Sequence, residues 1–243
     1  MKILAVDSTA VAVSAAVLED GKLLGEFFTN TRRTHSQTLM PMVSGVLEST
    51  GSKIGEIGLF AVSAGPGSFT GVRIGISCVK GMAMAQDRPC AGVSALEAMA
   101  RNLSCLEATV CAVMDARCGQ VYNAVFEAGD GKLRRLTPDR ALSIEDLSRE
   151  CEKYPKPLFL VGDGAKLCYN KSGFQKLSAV LPPEPLLYQR ASGVALVAYE
   201  AFLQGKTVPP AALAPVYLRL PQAERELKKR LGKSENAIQG GRR

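Results

Sequence analysis

The chain has no tryptophan, a single histidine and few aromatic residues, which make up 6% of its 243 residues. A basic surface interleaved with stacking rings, typical of single-strand nucleic-acid binders, is therefore not expected over the body of the chain. The lone His35 excludes a metal site built from several histidines. It also leaves only one base for a serine nucleophile, so we expect His35 to be a surface or capping residue.

Long apolar runs and paired cysteine motifs are absent as well. The sequence has no stretch of 18 uncharged apolar residues, and Asp7 interrupts the first apolar run, where a signal peptide would need it intact. We therefore expect a cytoplasmic protein without a membrane segment. The seven cysteines form no C-x-x-C pair and have mostly apolar neighbours. This pattern indicates reduced, buried thiols and no zinc site.

The formal net charge of +7 is concentrated at one end of the chain. Residues 219–243 hold eight basic and three acidic side chains, which leaves the body close to neutral. We expect these residues to form a basic, disordered tail. If the protein touches RNA, the tail is the expected place, and deletion of residues 220–243 would then flatten the salt dependence of binding.

Hydrophobic periodicity predicts an α/β protein of two lobes. The first lobe, residues 1–105, has the predicted order β-β-β-α-β-α-β-α, with a hairpin turn at "DG", residues 20–21. Its first helix is expected to have Ser36 as N-cap, Pro41 in its first turn and an end near Gly51, and its second helix spans residues 72–86. Three strands before any helix exclude a simple Rossmann opening.

The second lobe, residues 106–218, looks like a loose copy of the first. A strand ending in Asp115 matches the strand ending in Asp7, and each is followed by a strand meander. Helices are predicted over residues 144–153, 165–178 and 192–204, with "LFLVGDG" as a strand between the first two. The stretch "LPPEP" reads as a rigid connector.

The segment "GPGSFTGVRIG", residues 65–75, lies between a strand and a helix, where backbone N–H groups and the helix dipole favour an anion. Its glycine spacing matches neither the Walker A loop nor the Rossmann fingerprint. Two interpretations stay open. The loop either cradles an anion, with Arg73 adding charge, or its glycines let a tight turn pass under a neighbouring strand.

The two predicted helices of the first lobe carry more apolar surface than one core contact needs. In the second helix, Val72, Ile76, Val79 and Ala83 form one apolar face, and Gly75, Cys78 and Met82 form another with Ile74 beside them. A helix that is apolar on two faces is expected to be covered on both. The second cover is either the interior of the protein or a partner.

Asp7 and Asp115 each end an apolar strand. In two-lobed phosphotransferases such carboxylates face the cleft and manage magnesium or the attacking group. The simpler interpretation is that each one caps a turn. Here the turns lack glycine pairs, which suggests a cleft whose nucleotide site has weakened.

Seven segments together resemble the bacterial TsaB (YeaZ) family of tRNA threonylcarbamoyladenosine biosynthesis. They are, in order, "ILAVDST", "HSQTLMPM", "GPGSFTGVRIG", "VSALEAMA", "DARCGQVYNAVF", "GDGA" and "PVYLR", and the similarity spans residues 2–219. The resemblance implies an actin-like fold of two lobes, each a mixed sheet with an antiparallel meander and packed helices.

The resemblance also implies a role. TsaB-like proteins act as noncatalytic partners of the catalytic subunit TsaD and work with the ATPase TsaE. Together they transfer a threonylcarbamoyl group to the adenosine next to the anticodon of tRNAs that read codons beginning with A. The H-x-x-x-H metal site of TsaD is missing here, because His35 stands at its first position and Leu39 at its second. No catalytic residue, metal or resident cofactor is therefore expected.

The resemblance also implies that proteins of this family bind their partner through the first two helices. The partner is a second copy of the chain when the protein is alone, and TsaD in the complex. The implied partner interface consists of Leu39, Met42, Val43, Val46, Leu47, Arg73, Ile74, Gly75, Cys78 and Met82. ATP or ADP would bind between the lobes or at the partner interface, and the residues that would contact an anion or nucleotide are Asp7, Ser8, Thr9, Gly65, Gly67, Ser68, Thr70, Gly71 and Asp115. The alternative is a nucleotide-dependent phosphotransferase or ATPase of the same superfamily that uses these residues.

Overall fold

The computed structural model describes residues 1–219. The first part of the chain forms β1 (Lys2–Asp7), β2 (Val13–Glu19), β3 (Lys22–Thr29), α1 (His35–Ser49), β4 (Ile57–Gly65), α2 (Phe69–Ala85), β5 (Cys90–Ser94) and α3 (Ala95–Ala100). The rest forms β6 (Ala108–Asp115), β7 (Gln120–Gly129), β8 (Lys132–Arg135), β9 (Arg140–Ser143), α4 (Ile144–Cys151), β10 (Leu158–Val161), α5 (Ala165–Tyr169), α6 (Ser172–Lys176), α7 (Glu184–Leu187) and α8 (Ala191–Leu203). Short 3-10 turns occur at Ile54–Glu56, Arg101–Leu103 and Pro210–Ala212.

The strands build two mixed sheets with related topology. The first has the order β3-β2-β1-β4-β5, and in the second β10-β6-β7-β8 form the main path with β9 also paired to β7. In each sheet a central strand that ends in aspartate, β1 or β6, has an antiparallel neighbour on one side and a parallel neighbour on the other. Both hairpins turn at an Asp-Gly pair with positive φ, as the sequence predicts.

Helices cover both faces of the first sheet. On one face α1 and α2 pack against alternate strand residues such as Leu4, Val6 and Val17. On the other face Ile3, Ala5 and their neighbours contact α8, which also packs against α3. The burial of both faces follows from strands that are almost continuously apolar.

Helix α8 comes late in the chain but packs on the first sheet. Its residues Val194 and Ala198 share a core cluster with Ile3 and Leu59, and Ser14 Oγ accepts a hydrogen bond from Ala191 N at 2.8 Å. The predicted boundary between the lobes at residue 105 stays a prediction. It assigns α8 to the second lobe, whereas α8 packs on the sheet of the first lobe. Position along the chain does not predict this packing, because the chain returns to the first sheet after α7.

The predicted elements differ from the structure in five places. Helix α1 begins at His35 with Thr34 as N-cap, so Pro41 lies in its second turn, where the missing N–H costs a backbone hydrogen bond. Helix α2 begins three residues early, at Phe69, because Ser68 caps it. The helix predicted over 165–178 is two short helices, α5 and α6, and the sequence patterns did not indicate β9 or α7, which begins at Glu184 within "LPPEP" and ends at Leu187.

The cysteines are less uniformly buried than expected. All seven are free, and Cys90, Cys111, Cys151 and Cys168 are buried, but Cys105 and Cys118 are exposed. Within residues 1–219, no helix is long and apolar enough to span a bilayer. Residues 220–243, where the basic tail is predicted, lie outside the described part of the chain.

The N-terminal end of α2 lies directly against the turn that follows β1. A Cβ on Gly67 would stand 2.5 Å from Thr9 O, and a Cβ on Gly71 would overlap Ser8 O. Two hydrogen bonds join the segments, from Ser68 N to Thr9 O at 2.6 Å and from Ser8 Oγ to Gly71 O at 2.8 Å. Glycine is required because backbone meets backbone here.

Substitution of two glycines in α2 should change stability in opposite directions. Gly71→Ala should lower the free energy of unfolding by about 1–3 kcal/mol, because its methyl group would overlap Ser8 O. Gly81→Ala, in the same helix, meets no atom within 4 Å and should raise it by about 0.5–1 kcal/mol through the lower entropy of the unfolded chain. Urea unfolding measures both. Equal effects of the two substitutions would contradict the close approach.

Candidate functional site

Asp7 is completely buried at the end of β1. Its Oδ1 accepts hydrogen bonds from Thr9 N at 2.9 Å and Thr9 Oγ1 at 2.7 Å, and its Oδ2 accepts one from Ser63 Oγ on β4. Burial raises the pKa of Asp7, although these donors oppose the shift. Asp7 therefore serves as the fixed end of the turn that packs on α2.

Three backbone N–H groups of the glycine segment donate hydrogen bonds within the protein. Ser68 N donates to Thr9 O, Gly71 N donates to Ser68 Oγ at 3.3 Å, and Val72 N donates to Ser68 O. Gly65 has a φ of +125°, and a Cβ there would overlap Val216 O. The structure thus favours the interpretation in which the glycines allow close packing. Anion or nucleotide contact at Asp7–Thr9, the glycine segment with Thr70, and Asp115 stays a prediction.

A second polar group lies at the ends of β6 and β10. Asp115 Oδ1 accepts a hydrogen bond from Arg117 N at 2.7 Å and so caps the turn after β6. Asp163 lies beside it, and burial followed by the charge of Asp115 raises the pKa of Asp163 to about 6. Gln189 is completely buried, and within residues 1–219 its amide atoms and Asp163 Oδ1 have no hydrogen-bond partner.

His35 is neither a free surface residue nor a helix cap. It is the first residue of α1, and its half-buried ring places Nε2 2.6 Å from Ala10 O. The ring thus ties α1 to the turn between β1 and β2. Leu39, one helical turn later, is buried in the core. Among residues 1–219, no group of three His, Cys, Asp or Glu side chains is arranged to hold a metal ion.

The structure removes four residues from the predicted partner face. Leu39, Val43 and Val46 form the buried stripe of α1 against the first sheet. Gly75 is buried in α2, and a Cβ there would stand 2.7 Å from Ser8 Oγ and 3.1 Å from Val62 Cγ2. These positions face the protein's own core, because helical spacing alone does not say which of two apolar faces meets the sheet.

The other apolar positions of α2 stay half-buried. Ile74, Cys78 and Met82 are four residues apart and therefore line one edge of the helix, which we call the outer edge. They pack partly against the first core, as do Met42 and Leu47 at the two margins of the buried stripe of α1. Burial raises the pKa of the Cys78 thiol. This remaining set of half-buried apolar positions stays the predicted partner face.

Arg73 lies on a different edge of α2, facing residues 213–219, which we call the C-terminal segment. Arg73 Nε donates to Tyr217 Oη at 2.9 Å, and Tyr217 stacks on Phe69 with ring centroids 4.1 Å apart. On the same edge Lys80 Nζ donates to Ala211 O and Leu213 O, each at 3.2 Å. Sequence reasoning missed this contact, because its two sides are about 140 residues apart.

A family model described as TsaD, tRNA N6-adenosine threonylcarbamoyltransferase, matches residues 22–225. The tRNA threonylcarbamoyladenosine biosynthesis protein TsaB of Bacillus subtilis is 31% identical over 92% of this chain and 96% of its own length. TsaB of Escherichia coli is 32% identical over 90% of this chain and 95% of its own. The chain belongs to the TsaB (YeaZ) family.

The TsaB fold agrees with the architecture described above. The solved structure of YeaZ from Pseudomonas aeruginosa has a TM-score of 0.75 and 28% identity, and the match covers 89% of this chain and 100% of that one. The two-lobed, actin-like α/β fold predicted from the sequence is confirmed.

Asp163 predicts a pH dependence of stability. Because its pKa is about 6 in the folded chain, against an ordinary value of 3.8, the folded state keeps a proton that the unfolded state has released. The free energy of unfolding should therefore fall as the pH rises from about 4 to about 6, by up to about 3 kcal/mol. Asp163→Asn should abolish most of this fall in urea titrations at a series of pH values. An unchanged pH profile in the variant would contradict the assignment.

Proposed function

We propose that this chain is the noncatalytic partner of TsaD in the complex that, with TsaE, transfers a threonylcarbamoyl group to the adenosine next to the anticodon of tRNA. Membership of the TsaB family supports the pathway. The observation that carries the role of partner is the half-buried apolar outer edge of α2, beside α1. On this proposal TsaD covers that edge.

The chemistry of the outer edge suits a protein partner. Ile74, Cys78 and Met82 carry no charge, and Gly81 next to them has open space above its Cα. A position without a side chain lets a second helix approach closely, while methionine adapts to the shape of its neighbour. An apolar centre with a polar rim is the usual anatomy of a specific interface.

The same face would serve for self-association when TsaD is absent. Two copies related by a twofold axis bring the same patch together, as in most homodimers. Because one face cannot be covered twice, homodimer and heterodimer would exclude each other. TsaD should therefore dissociate the homodimer as it binds.

A noncatalytic role is supported by the hydrogen bonds of Asp7 and Asp115 within the protein. The carboxylate of Asp7 accepts hydrogen bonds from Thr9 and Ser63, and Asp115 accepts one from Arg117 N. Leu39 is buried where a second metal ligand would stand one turn after His35. These groups hold the fold together, so the chain's contribution to the reaction is to bind and position its partners.

Charge placed on the outer edge should prevent binding to TsaD. Cys78→Arg and Met82→Arg would each bury an unpaired cation in the interface and should weaken the complex about a hundredfold or more. Leu203→Arg is the matched control, because Leu203 is an exposed leucine at the end of α8, on the other side of the first sheet. Titration of labelled TsaD gives the three dissociation constants.

The folding of each variant is checked by its thermal unfolding. All three side chains are partly or largely exposed, so the monomers should keep their melting temperatures to within a few degrees. Gly75→Arg is unsuitable, because Gly75 faces Ser8 and Val62. Wild-type affinity of the folded Cys78 and Met82 variants would contradict the proposed face.

The alternative enzyme predicts turnover by the chain alone. We expect no phosphate release from ATP above a blank, and the same background rate in Asp7→Asn, because Asp7 is hydrogen-bonded within the fold. The measurement is a coupled phosphate assay on purified protein without TsaD or TsaE. Turnover that Asp7→Asn abolishes while the protein stays folded would establish the enzyme instead.

A further inference from the structure

Three arginines lie along a continuous path from α2 to the second lobe. Arg73 contacts Tyr217 in the C-terminal segment, and Arg219, two residues later, donates from Nη1 to Ala116 O. Arg117 is the next residue after Ala116. Arg73, Tyr217, Arg219 and Arg117 together form what we call the basic strip.

The positive charge of the basic strip is largely uncompensated. Within residues 1–219, Arg73 and Arg219 lie within 4.0 Å of no carboxylate, and Arg117 approaches one, Asp115, at 3.9 Å. The Arg117 side chain is 84% exposed. Most other arginines with close polar contacts are paired, as Arg101 is with Glu200 and Arg190 with Glu26. Clustered cations without acidic partners suit a ligand that carries repeated negative charge.

The strip is held in place by the fold. Val216 N donates to Ala64 O at 2.8 Å, and Leu213 is buried in the first core. Tyr217 stacks on Phe69, with Arg73 Cζ 4.4 Å from the Phe69 ring centroid. Groups ordered before binding lose less conformational entropy when a ligand arrives.

We propose that the basic strip binds the sugar-phosphate backbone of RNA, with the exposed ring of Tyr217 against an unpaired base. The inference rests on the proposed function, which supplies tRNA as the substrate. Unpaired bases of RNA loops stack on aromatic and guanidinium planes, while arginines neutralise phosphates. The sequence also continues directly from Arg219 into residues 220–243, which add seven basic and three acidic side chains.

The position of the strip is compatible with the complex. Arg73 and Lys80 lie seven residues apart on the edge of α2 that faces the C-terminal segment, whereas Ile74, Cys78 and Met82 line the outer edge. TsaD on the outer edge and RNA on the strip would therefore contact the same helix without competing. An RNA held there would lie beside the catalytic subunit.

The test compares charge reversal on the strip with the same change elsewhere. Both variants are full-length chains in complex with TsaD. The first carries Arg117→Glu and Arg219→Glu together. The second, the control, carries Lys156→Glu, since Lys156 is exposed in the loop before β10. Fluorescence anisotropy with unmodified tRNA transcript at several salt concentrations gives the affinity and its salt slope. The double variant should bind at least about tenfold more weakly, with a slope of log K against log salt that is smaller by about two. The lysine variant should stay close to wild type.

A separate pair of variants tests the contribution of Tyr217. Tyr217→Ala should weaken binding several-fold without changing the salt slope, because stacking releases no counterions, and Tyr217→Phe should keep most of the affinity. Wild-type affinity and slope in the folded double variant would overturn the inference, as would equal losses in the double and lysine variants. Failure of the wild-type chain to bind TsaD would instead contradict the proposed function, while tRNA binding by the chain alone still tests the strip.

Discussion

The backbone contact between the β1–β2 turn and the start of α2 fixes the arrangement of the first lobe. Because Gly67 and Gly71 have no side chain, the start of α2 packs directly on the backbone of Ser8 and Thr9. Asp7 stabilises this turn by accepting hydrogen bonds from Thr9 and Ser63. The helix is thereby set against the sheet along Val72, Ile76 and Val79. Because the inner face is fixed, the outer edge and the edge toward the C-terminal segment are fixed too.

This constraint explains why a segment that resembles a phosphate loop serves packing. Two features that usually bind phosphate are used for packing here: the amides of Ser68 and Gly71 donate to Thr9 O and Ser68 Oγ, and the space above Gly67 and Gly71 is filled by the neighbouring turn. One helix then presents two surfaces of different chemistry. One edge is uncharged and is the edge that we propose TsaD covers, and an edge with Arg73 and Lys80 holds the C-terminal segment.

Local patterns in the sequence predicted the parts of the fold that depend on neighbouring residues. The hairpins at the Asp-Gly pairs and the apolar helix stripe of Val72, Ile76 and Val79 follow from turn chemistry and periodicity. Long-range packing was not accessible in the same way. Helical spacing alone predicts Gly75 in a docking face, but in the structure it packs against Ser8 and against Val62 of the first sheet. Tyr217 lies in the segment "PVYLR", but its contacts with Phe69 and Arg73 could not be predicted, since these partners are distant in sequence.

The central claim is that TsaD covers the outer edge of α2. A photo-reactive amino acid placed at Cys78 would touch whatever lies against this edge, whereas one at Leu203 reports on the opposite side of the first lobe. On irradiation of the complex, the account predicts a covalent adduct with TsaD from position 78 and none from position 203. An adduct from position 203 alone, in a complex of normal stability, would contradict it.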